Sequence, residues 1–218
     1  MMNFKGILFD LDGTLVDSNA AVDRCWSHWC DRNDLDYEEV SKVFHGKPAF
    51  VTVREFLAGK SDEYIASEIQ WLKDQESKDV SDVKALPGAL EFLDRVVRYK
   101  VPWAIVTSGP VPVARARIEA ARLPEPHALI TSDLITKGKP DPEPFLLGAG
   151  RIGIDAKECL VFEDSPAGAK AGISAGSKVI GVMSHLSESD LNMTHSNIKT
   201  MTGLGISALS NSFRLTFK

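Results

Sequence analysis

The sequence predicts an α/β fold in which a doubly wound parallel sheet carries a small, inserted all-helical domain. From about residue 86 onward, short apolar runs alternate with helical patterns, which is typical of parallel sheets covered by helices. An apolar run at 4–9 precedes this region. The residues between that run and residue 86 show helical patterns without a clear strand. We therefore expect one domain formed by residues 1–17 and 82–218, interrupted by a helical domain at 18–81.

The stretch FDLDGTLVDS, residues 9–18, continues the first apolar run and organises the predicted site. Asp10 and Asp12 come at the end of the predicted strand, where positions i and i+2 point to the same side. Two close carboxylates repel each other and both stay ionised only when a cation lies between them, and Mg²⁺ is a hard cation that prefers oxygen ligands. Gly13 allows a sharp turn directly afterwards. Taken alone, so short an Asp-rich stretch is equally compatible with an ordinary turn.

Four helices are expected in the inserted part. Ser18 is a candidate N-cap of the first helix, in which apolar residues recur at helical spacing. Asp36 opens a capping-box pattern for a second helix that ends near Phe44. The third helix is expected at about 48–58 and the fourth after Ser61, again with apolar residues at helical spacing. Helices without strands would bury their apolar faces against each other as a small bundle.

Strands and helices are expected in alternation through the second part of the chain. The predicted strands lie at 101–107, 128–131, 159–164 and 178–182, and the helices open near 87–88, 110, 141–142 and 165–166. Residues 184–200 are polar and loop-like, and the tail SFRLTFK is expected to form a last edge strand. Ligands bind beyond the carboxyl ends of the strands in such sheets. The residues expected to meet at that edge are Asp10, Asp12, Thr107, Ser108, Glu163 and Asp164.

Further polar groups follow the later strands. Thr107 and Ser108 offer hydroxyls and backbone N–H groups that can hold a phosphate just before a helix, although a simple turn uses the same residue types. Lys139 precedes a proline, where a lysine taken alone is usually exposed. Glu163 and Asp164 end an apolar strand, where they could equally cap the helix that follows.

The composition is that of an ordinary globular protein, 44% hydrophobic and 25% charged. A net charge of −5, without a basic cluster, argues against nucleic acid or an anionic membrane surface as a partner. No apolar stretch approaches the ~20 residues of a membrane helix, and aspartates interrupt the first apolar run, so we expect no signal peptide. Cys25, Cys30 and Cys159 lack metal-ligand spacing, so we expect reduced thiols in a cytoplasmic protein.

Taken in order, these segments resemble the four motifs of the haloacid dehalogenase-like hydrolases, which share a Rossmann-like core. The resemblance implies that Asp10 attacks phosphorus to form an aspartyl phosphate. It implies that Asp12 protonates the leaving group and then activates water. Thr107, together with Ser108, corresponds to the second motif, and Lys139, directly before proline, to the phosphate-binding lysine of the third.

The same resemblance implies a magnesium site. Mg²⁺ would be held by Asp10, Asp12 and Asp164, and Glu163 would act on it indirectly, through water or another ligand. Because dehalogenases and phosphonatases of this family lack a carboxylate at the position of Asp12, the chain resembles a phosphoryl-transfer member.

The helical insert resembles the small cap of one subclass, which closes over small soluble metabolites. The resemblance extends to bacterial sugar phosphatases acting on hexitol and hexose phosphates and to relatives acting on 2-deoxyglucose 6-phosphate. His45 and Lys47 lie in a turn where such enzymes place substrate-selecting residues, and Arg54 is a candidate to reach the phosphate. An ordinary loop with a solvated lysine explains the same segment equally well.

We therefore expect a Mg²⁺-dependent phosphatase of small sugar or polyol phosphates. The first alternative is a sugar phosphomutase of the β-phosphoglucomutase type, although such mutases commonly carry a histidine where this chain has Val22. The second is a regulatory binding protein that keeps the fold without turnover. Nothing in the sequence decides the oligomeric state, and a monomer is the default expectation.

Overall fold

The computed structural model describes residues 2–44, 48–185 and 187–217. The strands are β1 (Met2–Phe4), β2 (Gly6–Phe9), β3 (Val16–Asp17), β4 (Lys84–Ala85), β5 (Trp103–Val106), β6 (Ala128–Ile130), β7 (Cys159–Glu163), β8 (Lys178–Val182), β9 (Ser196–Ile198), β10 (Gly205–Ala208) and β11 (Phe213–Thr216). The α-helices are α1 (Asn19–Asn33), α2 (Tyr37–Phe44), α3 (Ala49–Phe56), α4 (Asp62–Lys78), α5 (Ala89–Arg98), α6 (Val111–Ala120), α7 (Glu143–Arg151) and α8 (Pro166–Ser174).

A six-stranded sheet forms the centre of the molecule, with the strands in the order β6-β5-β2-β7-β8-β9 and every neighbouring pair parallel. From β2 the chain reaches β5 and then β6 on one side, returns to β7 on the other side of β2, and continues through β8 and β9. The strand order therefore reverses beside β2, which is where ligands bind in doubly wound sheets. The predicted fold class is confirmed.

The central strand β2 is buried on both faces, which explains why its sequence is a continuous apolar run. On one face, the ring of Phe9 lies 5.0 Å from that of Phe162 and 5.9 Å from that of Trp103. Leu8 belongs to the apolar cluster on the other face, together with Phe145. Because both faces are covered, the polar residues after Phe9 emerge at the carboxyl edge of the sheet.

Helices α1–α4, here called the helical unit, have an apolar core of their own. The rings of Trp26 and Phe44 stack at 4.6 Å, and Trp29 meets Trp26 edge to face. Asp36 accepts from the backbone N–H of Glu38 at the start of α2, and the hydroxyl of Ser61 caps α4, which starts directly after this residue as predicted. The four predicted helices are confirmed.

The part of the chain outside the helical unit, which forms the central sheet and the helices that cover it, is here called the sheet domain. Two antiparallel segments, β3 and β4, join it to the helical unit. Val16 pairs with Ala85 and Asp17 pairs with Lys84. The entering and leaving chains are thus hydrogen-bonded to each other directly after the stretch that carries Asp10 and Asp12.

The two ends of the chain differ from the prediction. The predicted strand at 4–9 is divided at Lys5: β1 leaves the main sheet and pairs with β11. The tail is a strand, as predicted, but β11 lies in the middle of a separate antiparallel sheet between β1 and β10. The segment 184–200, predicted to be a loop, contributes β9 to the main sheet. Short runs of this kind carry no signal for which sheet they join, because that choice depends on distant partners.

The three cysteines are buried and form no disulfide. Burial raises the pKa of Cys25 to about 12, of Cys30 to about 11 and of Cys159 to about 12, so each stays a neutral thiol at physiological pH. Across the described ranges, no helix is both long and apolar enough to cross a membrane.

Gly88, directly before α5, provides a test of how residues 201–202 pack against the start of that helix. Its φ is +83°, and a Cβ atom there would overlap the backbone of Met201 and Thr202. Gly88→Ala should lower the free energy of unfolding by about 2–4 kcal/mol, because backbone strain and a steric clash add together. Gly153→Ala is the matched control: φ is +72° there but no atom lies within 4 Å, so strain alone should cost about 1 kcal/mol.

Urea unfolding of both variants measures the difference. Equal losses for Gly88→Ala and Gly153→Ala would contradict the close approach of the two segments.

Candidate active site

Four of the predicted site residues meet at the carboxyl edge of the sheet. Asp10 follows β2, Thr107 follows β5, Glu163 ends β7, and Asp164 comes next. The backbone N–H of Asp10 donates to the carbonyl of Phe162 at 3.0 Å, which holds the ends of β2 and β7 side by side. The convergence expected from the strand pattern is therefore present.

Lys139 lies among these carboxylates. Its Nζ is 2.6 Å from Asp10 Oδ1 and 2.6 Å from Glu163 Oε1, and all three side chains are buried. Burial by itself lowers the pKa of the lysine, but the charges of Asp10 and Glu163 outweigh that effect and raise it above its ordinary value. Lys139 is therefore a cation in this site. The neighbouring Lys137 is exposed.

Three carboxylates form an acidic cluster that fits a divalent cation. One oxygen each of Asp10, Glu163 and Asp164 lies within 4.8 Å of the others. Burial raises the pKa of Asp10, the charge of Lys139 lowers it, and the charge of Glu163 raises it. The balance leaves the pKa of Asp10 at about 7. Burial and the neighbouring carboxylates raise the pKa of Asp164 well above its ordinary value. Asp10 Oδ2 is buried and has no hydrogen-bond partner among the described residues, so it is a free oxygen ligand facing excess negative charge.

Local structure keeps this cluster tight. A Cβ atom at Gly13 would overlap the Asp164 carboxylate, which explains why the chain needs glycine there. Glu163 is oriented by the start of α8: its Oε2 accepts from the backbone N–H of Ser165 at 2.7 Å and from its hydroxyl at 2.9 Å. The hydroxyl of Ser165 in turn accepts from the N–H of Gly168, so Ser165 rather than the acidic pair caps the helix. With both oxygens hydrogen-bonded, Glu163 is better suited to orient Lys139 than to ligate a metal directly.

The carboxylate of Asp12 has different neighbours. Ser18 donates its hydroxyl to Asp12 Oδ1 at 2.6 Å, and Arg117 Nη1 lies 2.7 Å from Asp12 Oδ2. Ser18 stands at the N-cap position of α1 as predicted, but its side chain makes no capping hydrogen bond, because it is bound to Asp12 instead. The Asp12 side chain lies outside the acidic cluster, and its predicted role as a metal ligand stays a prediction.

The acidic cluster opens into a cavity of about 540 Å³ between the sheet edge and the helical unit. Thr107 and Ser108 line it on the side of the sheet, and the Thr107 hydroxyl accepts from the N–H of Gly109 at 3.0 Å. Val22, Trp26 and Phe44 line it on the side of the helical unit.

The predicted substrate-selecting residues His45 and Lys47 lie outside the described residues. Arg54 is described, but it is not among the residues lining the cavity. Its exposed side chain lies 3.8 Å from Asp62 instead, so the suggestion that it reaches the phosphate is not supported.

Two buried charged residues at this site were not predicted. Arg117 on α6 and Glu76 on α4 both line the cavity. Arg117 shares a helix face with the buried Val113 and Ala114. A charged residue on the buried face of an amphipathic helix is the signal that would have singled it out.

Comparison with known proteins agrees with this site. The family model of the haloacid dehalogenase-like hydrolases matches residues 4–176. The chain is 49% identical to hexitol phosphatase A of Escherichia coli over 181 residues, covering 83% of this chain and 84% of that protein. It is 33% identical to glycerol-1-phosphate phosphohydrolase 2 of Saccharomyces cerevisiae, covering 83% and 75%. A crystal structure of a hydrolase from Pseudomonas syringae superposes with a TM-score of 0.76 at 26% identity, covering 90% and 93%.

The raised pKa of Asp10 predicts how this residue affects stability in metal-free protein. The folded protein binds the Asp10 proton more tightly than the unfolded chain, so this contribution to stability is lost as pH rises from 3.8 to about 7. Asp10→Asn removes the buried charge and should stabilise the protein at pH 8 by about 2–4 kcal/mol, with little gain near pH 4.

Urea unfolding in EDTA at both pH values tests this, with the exposed Asp94→Asn as the control. An equal gain for Asp10→Asn at both pH values would show that the burial of charge is not the cause.

Proposed function

Because the chain belongs to the haloacid dehalogenase-like hydrolases, we propose that it is a Mg²⁺-dependent phosphatase of small sugar or polyol phosphates. The observation that carries this proposal is the separation of the two carboxylates of the first motif. Asp10 lies in the acidic cluster beside Lys139, whereas Asp12 is bound by Ser18 and Arg117 outside it. Two carboxylates in such different environments suit two different roles.

In the proposed first step, an oxygen of Asp10 attacks phosphorus, the bond to the leaving oxygen breaks, and Asp12 gives that oxygen a proton. In the second step, Asp12 takes a proton from water, which attacks the aspartyl phosphate and releases inorganic phosphate with Asp10 restored. Lys139, Thr107 and Ser108 would bind the phosphoryl oxygens. The position of Lys139, 2.6 Å from Asp10, supports this, because an anion attacking an anion needs a cation beside both.

Asp10 and Asp164, with the predicted contribution of Asp12, would hold Mg²⁺. The buried Asp10 oxygen without a partner and the raised pKa of both cluster aspartates support a cation at this position. When bound, the ion would offset the charge of the carboxylates and of the phosphoryl group. Glu163 would act indirectly, by holding Lys139.

We propose that the sheet domain, residues 1–17 and 82–218, performs the chemistry and that residues 18–81 form a cap that selects the substrate. A cavity of about 540 Å³ suits a small metabolite. Trp26 and Phe44 give the cavity apolar walls, and Glu76 and Arg117 add polar groups to its lining. The two phosphatases compared above act, by their names, on hexitol and glycerol phosphates, which supports this substrate class.

The phosphomutase alternative is weaker. Residue 22, where such mutases commonly carry a histidine, is Val22, and it lines the cavity. The binding-protein alternative is weaker too, because the candidate nucleophile, the acid–base residue and the phosphate-binding lysine are all present around one cavity.

The proposal predicts Mg²⁺-dependent release of phosphate from hexose, hexitol and glycerol phosphates. Release should stop in EDTA, return with added Mg²⁺, and fall by at least ~1,000-fold in Asp10→Asn, since no other group forms the covalent intermediate. A colorimetric phosphate assay over the substrate panel measures this. Substantial activity of Asp10→Asn would refute the assignment of the nucleophile, and no release from any substrate would favour the mutase or binding-protein alternative.

Lys47, in the proposed cap, should affect substrate choice rather than chemistry. Lys47→Ala is expected to lower kcat/KM for the preferred sugar phosphate by about 10-fold, the loss of one charged hydrogen bond, with little change for 4-nitrophenyl phosphate. Lys60→Ala, an exposed lysine of the helical unit, is the control. Equal losses on both substrates would count against a role in selection.

A further inference from the structure

Arg117 connects the candidate acid–base residue with the helical unit. Its Nη1 is 2.7 Å from Asp12 Oδ2, and its Nη2 is 3.7 Å from Glu76 Oε2. We propose that Arg117 is a positioning residue: it holds the Asp12 carboxylate for proton transfer and couples that position to the helical unit through Glu76. This inference rests on the proposed phosphatase function, in which Asp12 transfers the proton.

The hydrogen bonds of Asp12 show how its carboxylate is oriented. Each oxygen has one donor, the Ser18 hydroxyl at 2.6 Å and the Arg117 guanidinium at 2.7 Å. These donors belong to two segments that are far apart in the sequence, since Ser18 precedes α1 and Arg117 lies in α6. A carboxylate held at both oxygens has little rotational freedom, which is what proton transfer to one leaving atom requires.

Glu76 makes this a contact between two parts of the molecule. It belongs to α4 of the helical unit, whereas Arg117 and Asp12 belong to the sheet domain. The side chains of Arg117 and Glu76 are only 6% and 10% exposed, so solvent screens their interaction weakly. The planar guanidinium presents separate nitrogens to the two carboxylates, Nη1 to Asp12 and Nη2 to Glu76. A shift of the helical unit would therefore move Glu76, the Arg117 guanidinium and, through it, the Asp12 carboxylate.

A buried ion pair that only joins two domains would have the same geometry, so the test must report on proton transfer. A general acid matters most when the leaving oxygen is a strong base and matters little for a stable nitrophenolate. Aryl phosphates of similar size but different leaving-group basicity therefore separate proton transfer from binding and folding.

The experiment compares kcat/KM for phenyl, 4-nitrophenyl and 2,4-dinitrophenyl phosphate in the Mg²⁺-loaded wild type and in Arg117→Met. We expect a loss of about 10- to 100-fold for phenyl phosphate and of less than about 3-fold for dinitrophenyl phosphate, part of the factor that acid–base catalysis contributes. Arg117→Lys should recover part of the loss for phenyl phosphate. Arg115→Met, on the same helix but paired with the exposed Glu125, is the matched control and should leave all three values unchanged.

Coupling through Glu76 is tested with Glu76→Gln and the double variant. Glu76→Gln should show a smaller loss with the same dependence on the leaving group, and adding it to Arg117→Met should cost nothing further, because both changes act through one contact. If Arg117→Met does not fold, as judged by thermal unfolding, Arg117→Lys and Glu76→Gln provide the same test.

Losses that are equal for all three substrates would overturn the inference and leave the proposed function standing. Additive effects in the double variant would overturn the coupling to the helical unit. A wild-type protein that releases phosphate neither from these aryl phosphates nor from the panel of sugar and polyol phosphates would instead overturn the proposed function, and this inference with it.

Discussion

The ion pairs of Lys139 with Asp10 and Glu163 are the constraint on which the rest of the site depends. One buried ammonium group contacts the buried carboxylates of Asp10 and Glu163, and the half-buried Asp164 adds a third carboxylate, so the site carries excess negative charge where water screens it only weakly. That excess, visible in the raised pKa values of Asp10 and Asp164, makes the site suitable for a cation. The packing around the carboxylates is close, since a Cβ atom at Gly13 would overlap the carboxylate of Asp164.

The second carboxylate of the first motif, Asp12, has hydrogen-bond partners of its own outside the acidic cluster. Asp12 is only two residues from Asp10, yet Ser18 and Arg117 hold it toward the cavity and the helical unit. The antiparallel pairing of β3 with β4 places the connection to the helical unit directly beside this residue. The proposed chemistry at the sheet edge and the proposed selection by the helical unit would therefore meet at one carboxylate.

Local patterns predicted most of the fold and most of the site. The alternation of strands and helices led to the correct fold class, and the rule that ligands bind at the carboxyl ends of strands brought Asp10, Thr107 and Asp164 together. Lys139 was expected to lie beside the carboxylates, and it does. The prediction was wrong for β1, for β9, for the edge position of the tail and for the Ser18 hydroxyl. Each of these depends on a tertiary contact that the local residue pattern does not specify.

The sequence by itself determined the order of the elements and which polar residues end the strands, because hydrophobic period and chain direction are local properties. Only the tertiary structure decided which partner each buried charge takes. Lys139 and Asp10 are 129 positions apart, and Arg117 in α6 meets Asp12 beside β2 and reaches Glu76 across the boundary with the helical unit. Such contacts form because burying a charge without an opposite charge beside it costs free energy. The position of that opposite charge is set by the tertiary fold, and no local pattern specifies it.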